Sequence, residues 1–188
     1  EGNDGSADLT ITGGVEPYEI FGELNNLSAG SHTVSVVDDN NCETSIVFFI
    51  NEPELLELSI ATIDASCNGG NDGFADLSIT GGVEPYEIFG ELNNLSAGIH
   101  SVTVVDNNNC ETSVEFIINE PELLELSVTT IDVSCNGLSD GSAELTISGG
   151  TAPYSTEDLS NLSAGSYTTT VIDANGCETL IEFTINEP

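Results

Sequence analysis

Leu56, Leu58 and Ile60 alternate with polar neighbours, and the same rhythm returns at Ala75, Leu77 and Ile79, at Val102 and Val104, and at Val114, Phe116 and Ile118. A period of two places every second side chain on one face of an extended chain, so each run predicts a half-buried strand. The runs are separated by Asn71-Asp72-Gly73, Gly81-Gly82, Glu84-Pro85 and Asp106-Asn107-Asn108-Asn109. These residue types tolerate or impose the backbone angles of a reversal. No run has a helical period, and short strands punctuated this often predict an all-β, immunoglobulin-like sandwich.

The pattern is written more than once. GGVEPYEIFGELNNLSAG fills residues 13–30 and again 81–98, and GGTAPYSTEDLSNLSAG follows at 149–165. Gly13 and Gly81, Cys42 and Cys110, and Cys67 and Cys135 are each 68 residues apart, and the third copy drops one residue between Tyr154 and Asn161. The period divides the chain into a partial first repeat (1–53), a second repeat (54–121) and a third (122–188). Glu1 aligns with Gly69, in mid-repeat, and Asn186-Glu187-Pro188 matches Asn51-Glu52-Pro53 and Asn119-Glu120-Pro121, so a longer parent array is expected. Proline in those short joints restricts their freedom, and the units are expected to stand end to end as a semi-rigid rod.

Within the repeated stretch, a strand is expected to end at Gly-Gly and the chain to turn at Glu-Pro. Tyr and Ile are then buried in the next strand, and Leu-Ser-Ala-Gly leads to a ring at His32, His100 or Tyr167. A ring at that place in an immunoglobulin-like sandwich bonds back to the preceding loop as a tyrosine corner. The third copy replaces Ile-Phe by the polar run Ser155-Thr156-Glu157-Asp158, which predicts a locally remodelled edge.

Charge narrows the partners. The chain has no Lys or Arg against 33 Asp and Glu, a formal charge of −33. Nothing is present to neutralise phosphate, which excludes nucleic acid and anionic lipid as electrostatic partners. Uniform negative charge keeps chains soluble and apart. No stretch is long or apolar enough to cross a membrane as a helix, and no secretory leader is legible at Glu1. A 38% hydrophobic content in alternating runs argues against disorder.

Five cysteines stand at 42, 67, 110, 135 and 177. Two per repeat, without a CxxC pair or a His cluster, predict disulfides in an oxidising setting rather than zinc. The expected pairs lie within repeats, Cys67 with Cys110 and Cys135 with Cys177, with Cys42 pairing outside the fragment. Immunoglobulin-like strand order places Cys67 and Cys110 toward opposite poles, so pairing between adjacent repeats is the alternative, and free thiols are the third.

Candidate chemistry is sparse. His32 and His100 are the bases nearest neutrality, but the third copy has Tyr167 in their place, which cannot serve as the same general base. A structural ring is the expectation, and no catalytic residue is assigned. Asp72, Asp76, Asp106, Asp140, Glu144 and Asp173 supply oxygen ligands of the type calcium accepts. They lack the spacing of a dedicated calcium loop, so at most weak calcium association is expected and no cofactor is required. Asn26, Asn94 and Asn161 each head an Asn-x-Ser triplet, read first as a loop that packs its Leu rather than as a glycan site. Gly-Gly without a following Lys or helix is not a phosphate loop.

Cys67-Asn68-Gly69-Gly70 with Asp72-Gly73, then Ile79-Thr80-Gly81-Gly82, Pro85-Tyr86, Leu95-Ser96-Ala97-Gly98, Val102-Thr103-Val104, Asp106, Cys110 and Glu120-Pro121 resemble the SprB repeat family. His stands at two of three places where that family has Tyr after LSAG. The resemblance implies a non-enzymatic stalk segment of a very large adhesin on the outer surface of gliding bacteria, exported by type IX secretion. Implied partners are neighbouring repeats, an extracellular surface or polysaccharide, and the gliding or secretion machinery. A carbohydrate- or calcium-binding repeat, and a spacer on a secreted hydrolase, are the alternatives.

Overall fold

A computed structural model describes residues 2–188. Its regular structure is all strand, and the described residues contain no helix. The chain divides into two compact units, Glu1–Leu55 and Leu56–Pro188.

The first unit is one antiparallel sheet of β1 (Glu19–Phe21), β2 (Gly30–Val37) and β3 (Glu43–Ile50), in that order. Ala7, Leu9 and Ile11 carry the alternation that makes a strand elsewhere, yet this stretch forms no ladder. Its counterpart in the second unit pairs with a strand that precedes it. Here the pattern supplies the amphipathic face, and the strand forms only where a neighbour supplies hydrogen bonds.

The second unit holds two sandwiches. In the first, β4 (Glu57–Ile63) and β5 (Phe74–Thr80) pair antiparallel and pack over a sheet of β6 (Glu87–Phe89), β7 (Gly98–Val105) and β8 (Glu111–Ile118). In the second, β9 (Glu125–Ile131) and β10 (Ser142–Ser148) pack over β11 (Gly165–Ile172) and β12 (Glu178–Ile185). The alternation predicted this layering. Ala75, Val102, Val104, Phe116 and Ile118 are all buried, with Leu58, Ile60, Leu77 and Ile79 packed against them. Burying a side chain of this size contributes about 1.5–3 kcal/mol. Where no covering strand is present, the same face opens: Ile46 is 56% exposed in the first unit, whereas its counterpart Val114 is half-buried.

Three local expectations meet the structure differently. The expectation that Tyr and Ile are buried in this strand is corrected: Tyr86 is half-buried and lies just ahead of β6, and Ile88 is 48% exposed. Its register opposite Val104 turns it inward, yet it sits on a three-residue edge strand beyond the cover of the two-stranded facing sheet, and this leaves it open. The polar run of the third copy does remodel that edge. The three-residue strand is reduced to a single bridge between Ser155 and Ile172, so no ladder extends past it.

The Asp-Gly pair at 72–73 is not a simple turn. Gly73 donates to and accepts from Leu95, at 3.0 and 2.9 Å, and a Cβ there would lie 2.7 Å from the Ile118 Cγ2 and 2.8 Å from the Leu95 carbonyl oxygen. Gly73 is therefore required by close approach, not by backbone angle. Gly82 combines both demands: its φ is 64°, and Leu56 and Asp106 fill the space a Cβ would take.

One core position departs from the other copies. Thr169 occupies the place of Val34 and Val102, is 1% exposed, and its Oγ1 has no hydrogen-bond partner. An unsatisfied buried hydroxyl costs about 1–3 kcal/mol. Thr169→Val, which restores the residue of the other copies at equal volume, is expected to raise the melting temperature of the third repeat; an unchanged or lower value in a thermal scan contradicts this reading.

Candidate functional site: the joint between repeats

Three side-chain devices shape the ends of each repeat. The ring after Leu-Ser-Ala-Gly bonds back to the loop: His32 Nε2 lies 2.7 Å from the Ser28 carbonyl oxygen, His100 Nε2 lies 2.8 Å from that of Ser96, and the Tyr167 hydroxyl donates to that of Ser163 at 2.9 Å. Each ring also stacks on the cross-strand Phe48, Phe116 or Phe183, with centroids 5.6–5.8 Å apart. Imidazole thus reproduces the tyrosine corner because the geometry asks only for a flat ring with a donor at its tip.

A second ring secures the glycine turn. The hydroxyls of Tyr18, Tyr86 and Tyr154 donate to the carbonyls of Gly13, Gly81 and Gly149, at 2.7, 2.6 and 2.7 Å. The third device is a carboxylate. Asp106 Oδ1 accepts the amides of Asn108 and Cys110, both at 2.8 Å, while Oδ2 accepts that of Val83 at 3.0 Å. Asp38 and Asp173 repeat this arrangement. Burial pushes the Asp106 and Asp173 carboxyls up, but the amides around them outweigh it and hold both below the usual carboxylate range. These aspartates tie the Gly-Gly turn to the hairpin that carries Cys42, Cys110 or Cys177.

At the opposite pole, the loop after β4 holds the chain's exit. Asn119 donates its backbone and side-chain amides to Asp64, and Asn186 does the same to Asp132. Glu120 reaches back to the amide of Gly69 at 2.6 Å and to the Asn68 side chain at 3.1 Å. Asp72 accepts from Ser66, whose hydroxyl and then amide lower the carboxyl's pKa; Ser134 acts likewise on Asp140. The recurring Asn-Glu-Pro is thereby fixed to the sandwich it leaves.

The next sandwich docks on this pole. Asn175 Nδ2 donates to the Ser66 carbonyl at 2.9 Å, and Cys177 forms a disulfide with Cys67, Cα to Cα 5.7 Å, across 110 residues of sequence. This corrects the expected pairing within repeats. Cys67 lies in the loop after β4 and Cys110 in the hairpin between β7 and β8, at opposite poles of one sandwich, whereas successive sandwiches bring the two kinds of pole together. Cys42, Cys110 and Cys135 are exposed thiols.

The carboxylates singled out as calcium ligands are dispersed. Asp106 and Asp173 serve separate hairpins, Asp72 and Asp140 serve separate loops, and Asp76 and Glu144 stand exposed on β5 and β10 opposite Ala61 and Thr129. Among the described residues, no group of three or more His, Cys, Asp or Glu side chains is placed to hold a metal. Asn26, Asn94 and Asn161 are exposed, at φ of 54–55°, and each presents the following Leu inward. Sequence reasoning missed Asp64, Ser66, Asn119, Glu120 and Asn175 as joint residues. The signal was there: Ile-Asp-x-Ser-Cys-Asn-Gly occurs at 63–69 and 131–137, and the same repeat closes on Asn-Glu-Pro, whose Asn stands 55 or 54 residues after the Asp.

Sandwiches that repeat the same corner, turn and clamp, with two of them joined by a disulfide, define a tandem β-sandwich repeat protein. The model of the SprB repeat family matches residues 59–88 and 127–155, equivalent stretches running from the first strand of each sandwich to the Pro-Tyr turn. Among curated proteins, no match to the chain was found.

Proposed function

We propose that this chain is a stalk segment of a large cell-surface adhesin, a spacer that holds an adhesive tip or a propulsion attachment away from the cell in adhesion and gliding. The observation that supports it most is the joint, where a disulfide and the Asn175 contact fasten one repeat to the next. A protein whose elaborated contacts lie between repeats is suited to transmitting tension along a filament. The disulfide fits an oxidising, extracellular setting, and the match to the SprB repeat family fits an adhesin carried by type IX secretion.

In this reading the protein is not an enzyme and needs no cofactor. The −33 charge discourages lateral association through exposed sheet edges, and the absence of Lys and Arg leaves trypsin-like proteases no cleavage point. Its partners are further repeats, an extracellular surface or polysaccharide, and the export or gliding machinery. Electron microscopy of the intact parent protein tests the proposal, with a long thin fibre as the expected image.

A further inference from the structure

We infer that the disulfide is one member of a periodic series, in which the first cysteine of every repeat bonds the second cysteine of the repeat after it. Cys67 and Cys177 are such a pair. Applied to the 188 residues, this rule forms that single bond and leaves Cys42, Cys110 and Cys135 without a partner, which is the observed set of thiols. A rule of pairing within repeats leaves only Cys42. Cys110 is the counterpart of Cys177 and Cys135 the counterpart of Cys67, each one repeat away. Their surroundings are the counterparts too. The Cys110 amide is held by Asp106 as that of Cys177 is by Asp173, and the loop of Cys135 is tied by Ser134 to Asp140 and by Gly137 to Glu187 as that of Cys67 is by Ser66 to Asp72 and by Gly69 to Glu120. Both thiols are thus covalent docking sites for another copy of the repeat: Cys110 for the loop of a preceding one, Cys135 for the hairpin of a following one.

Each bond forms by thiol–disulfide exchange. The two thiols give up two protons and two electrons to an oxidising protein or small-molecule disulfide, which is reduced to two thiols. The rule has a mechanical consequence whatever the array is used for. A bond spans 110 residues, and about 25 residues separate a second cysteine from the next first cysteine, as between Cys110 and Cys135. Two interleaved covalent routes therefore run along an oxidised array, each following only about a fifth of the backbone, and the stretch between the two cysteines of every repeat is shielded from tension while the bonds last.

The test appends a second copy of residues 122–188 after Pro188, alkylates free thiols under non-reducing conditions, and maps the cysteine peptides after cleavage at Asp and Glu. In the 188-residue chain, Cys42, Cys110 and Cys135 are alkylated. In the extended chain, alkylation of Cys135 is lost and a peptide joins it to the second cysteine of the added copy, while Cys67–Cys177 persists. Cys135→Ser in the extended chain leaves that second cysteine alkylated. Cys135 still alkylated beside an intact Cys67–Cys177 bond, a bond between the two cysteines of the added copy, or an extended chain without disulfides overturns the proposal. None of these results depends on where the protein is displayed, so the stalk reading stands or falls separately.

Discussion

Replacing Cys177 with serine is expected to lower the stability of the Leu56–Pro188 unit by about 2–5 kcal/mol, because the bond it removes closes a long loop and restricts the unfolded chain. The bond joins a loop of one sandwich to a hairpin of the next across 110 residues, so it also couples their unfolding. Thermal scans of the oxidised protein should show the loss, reductant should impose it on the natural chain, and reductant should do nothing further to the variant. Cys110→Ser, which removes an exposed thiol, should stay within about 0.5 kcal/mol of the natural chain. Equal losses at Cys110 and Cys177 would instead indicate bonding within the repeat.

Leu95→Ala carries the second large effect, about 2–5 kcal/mol. Leu95 is 1% exposed and is held by two backbone bonds to Gly73, a glycine packed against Ile118. The loop cannot collapse into the cavity without breaking that bridge, so the lost contacts are not recovered. Denaturant midpoints should fall with an unchanged dependence on denaturant concentration. Leu180→Ala, at a position 62% exposed, should change stability by less than about 0.5 kcal/mol; a similar loss at both positions would mean that the Leu-Ser-Ala-Gly loop is not part of the core.

The fold was legible because its determinants are local and written more than once. Alternation placed Val102, Val104, Phe116 and Ile118 inward, and the place of the ring after Leu-Ser-Ala-Gly predicted a corner that His32, His100 and Tyr167 all complete. Alternation says which face a residue takes but not how wide the covering sheet is, which is why Ile88 turns inward and stays half-exposed. Nor does it supply a partner: Ala7, Leu9 and Ile11 keep the pattern without becoming a strand.

The joint was harder to read, since it depends on which poles meet. Two cysteines per repeat fit a bond within a sandwich or between sandwiches equally well on spacing alone. Strand order placed Cys67 and Cys110 at opposite poles, a separation that the gain from stapling a small domain does not overcome. The carboxylates were read as turn formers first and calcium ligands second. The structure shows a more specific task for Asp106 and Asp173, each gathering three backbone amides to hold a cysteine-bearing hairpin in place.

The most direct measurement of the stalk reading is the contour length of the isolated parent protein by electron microscopy, compared with a version from which a block of repeats has been deleted. A stalk is expected to appear as a thin unbranched fibre that shortens in proportion to the number of repeats removed. A compact particle, or a length indifferent to the deletion, would contradict it.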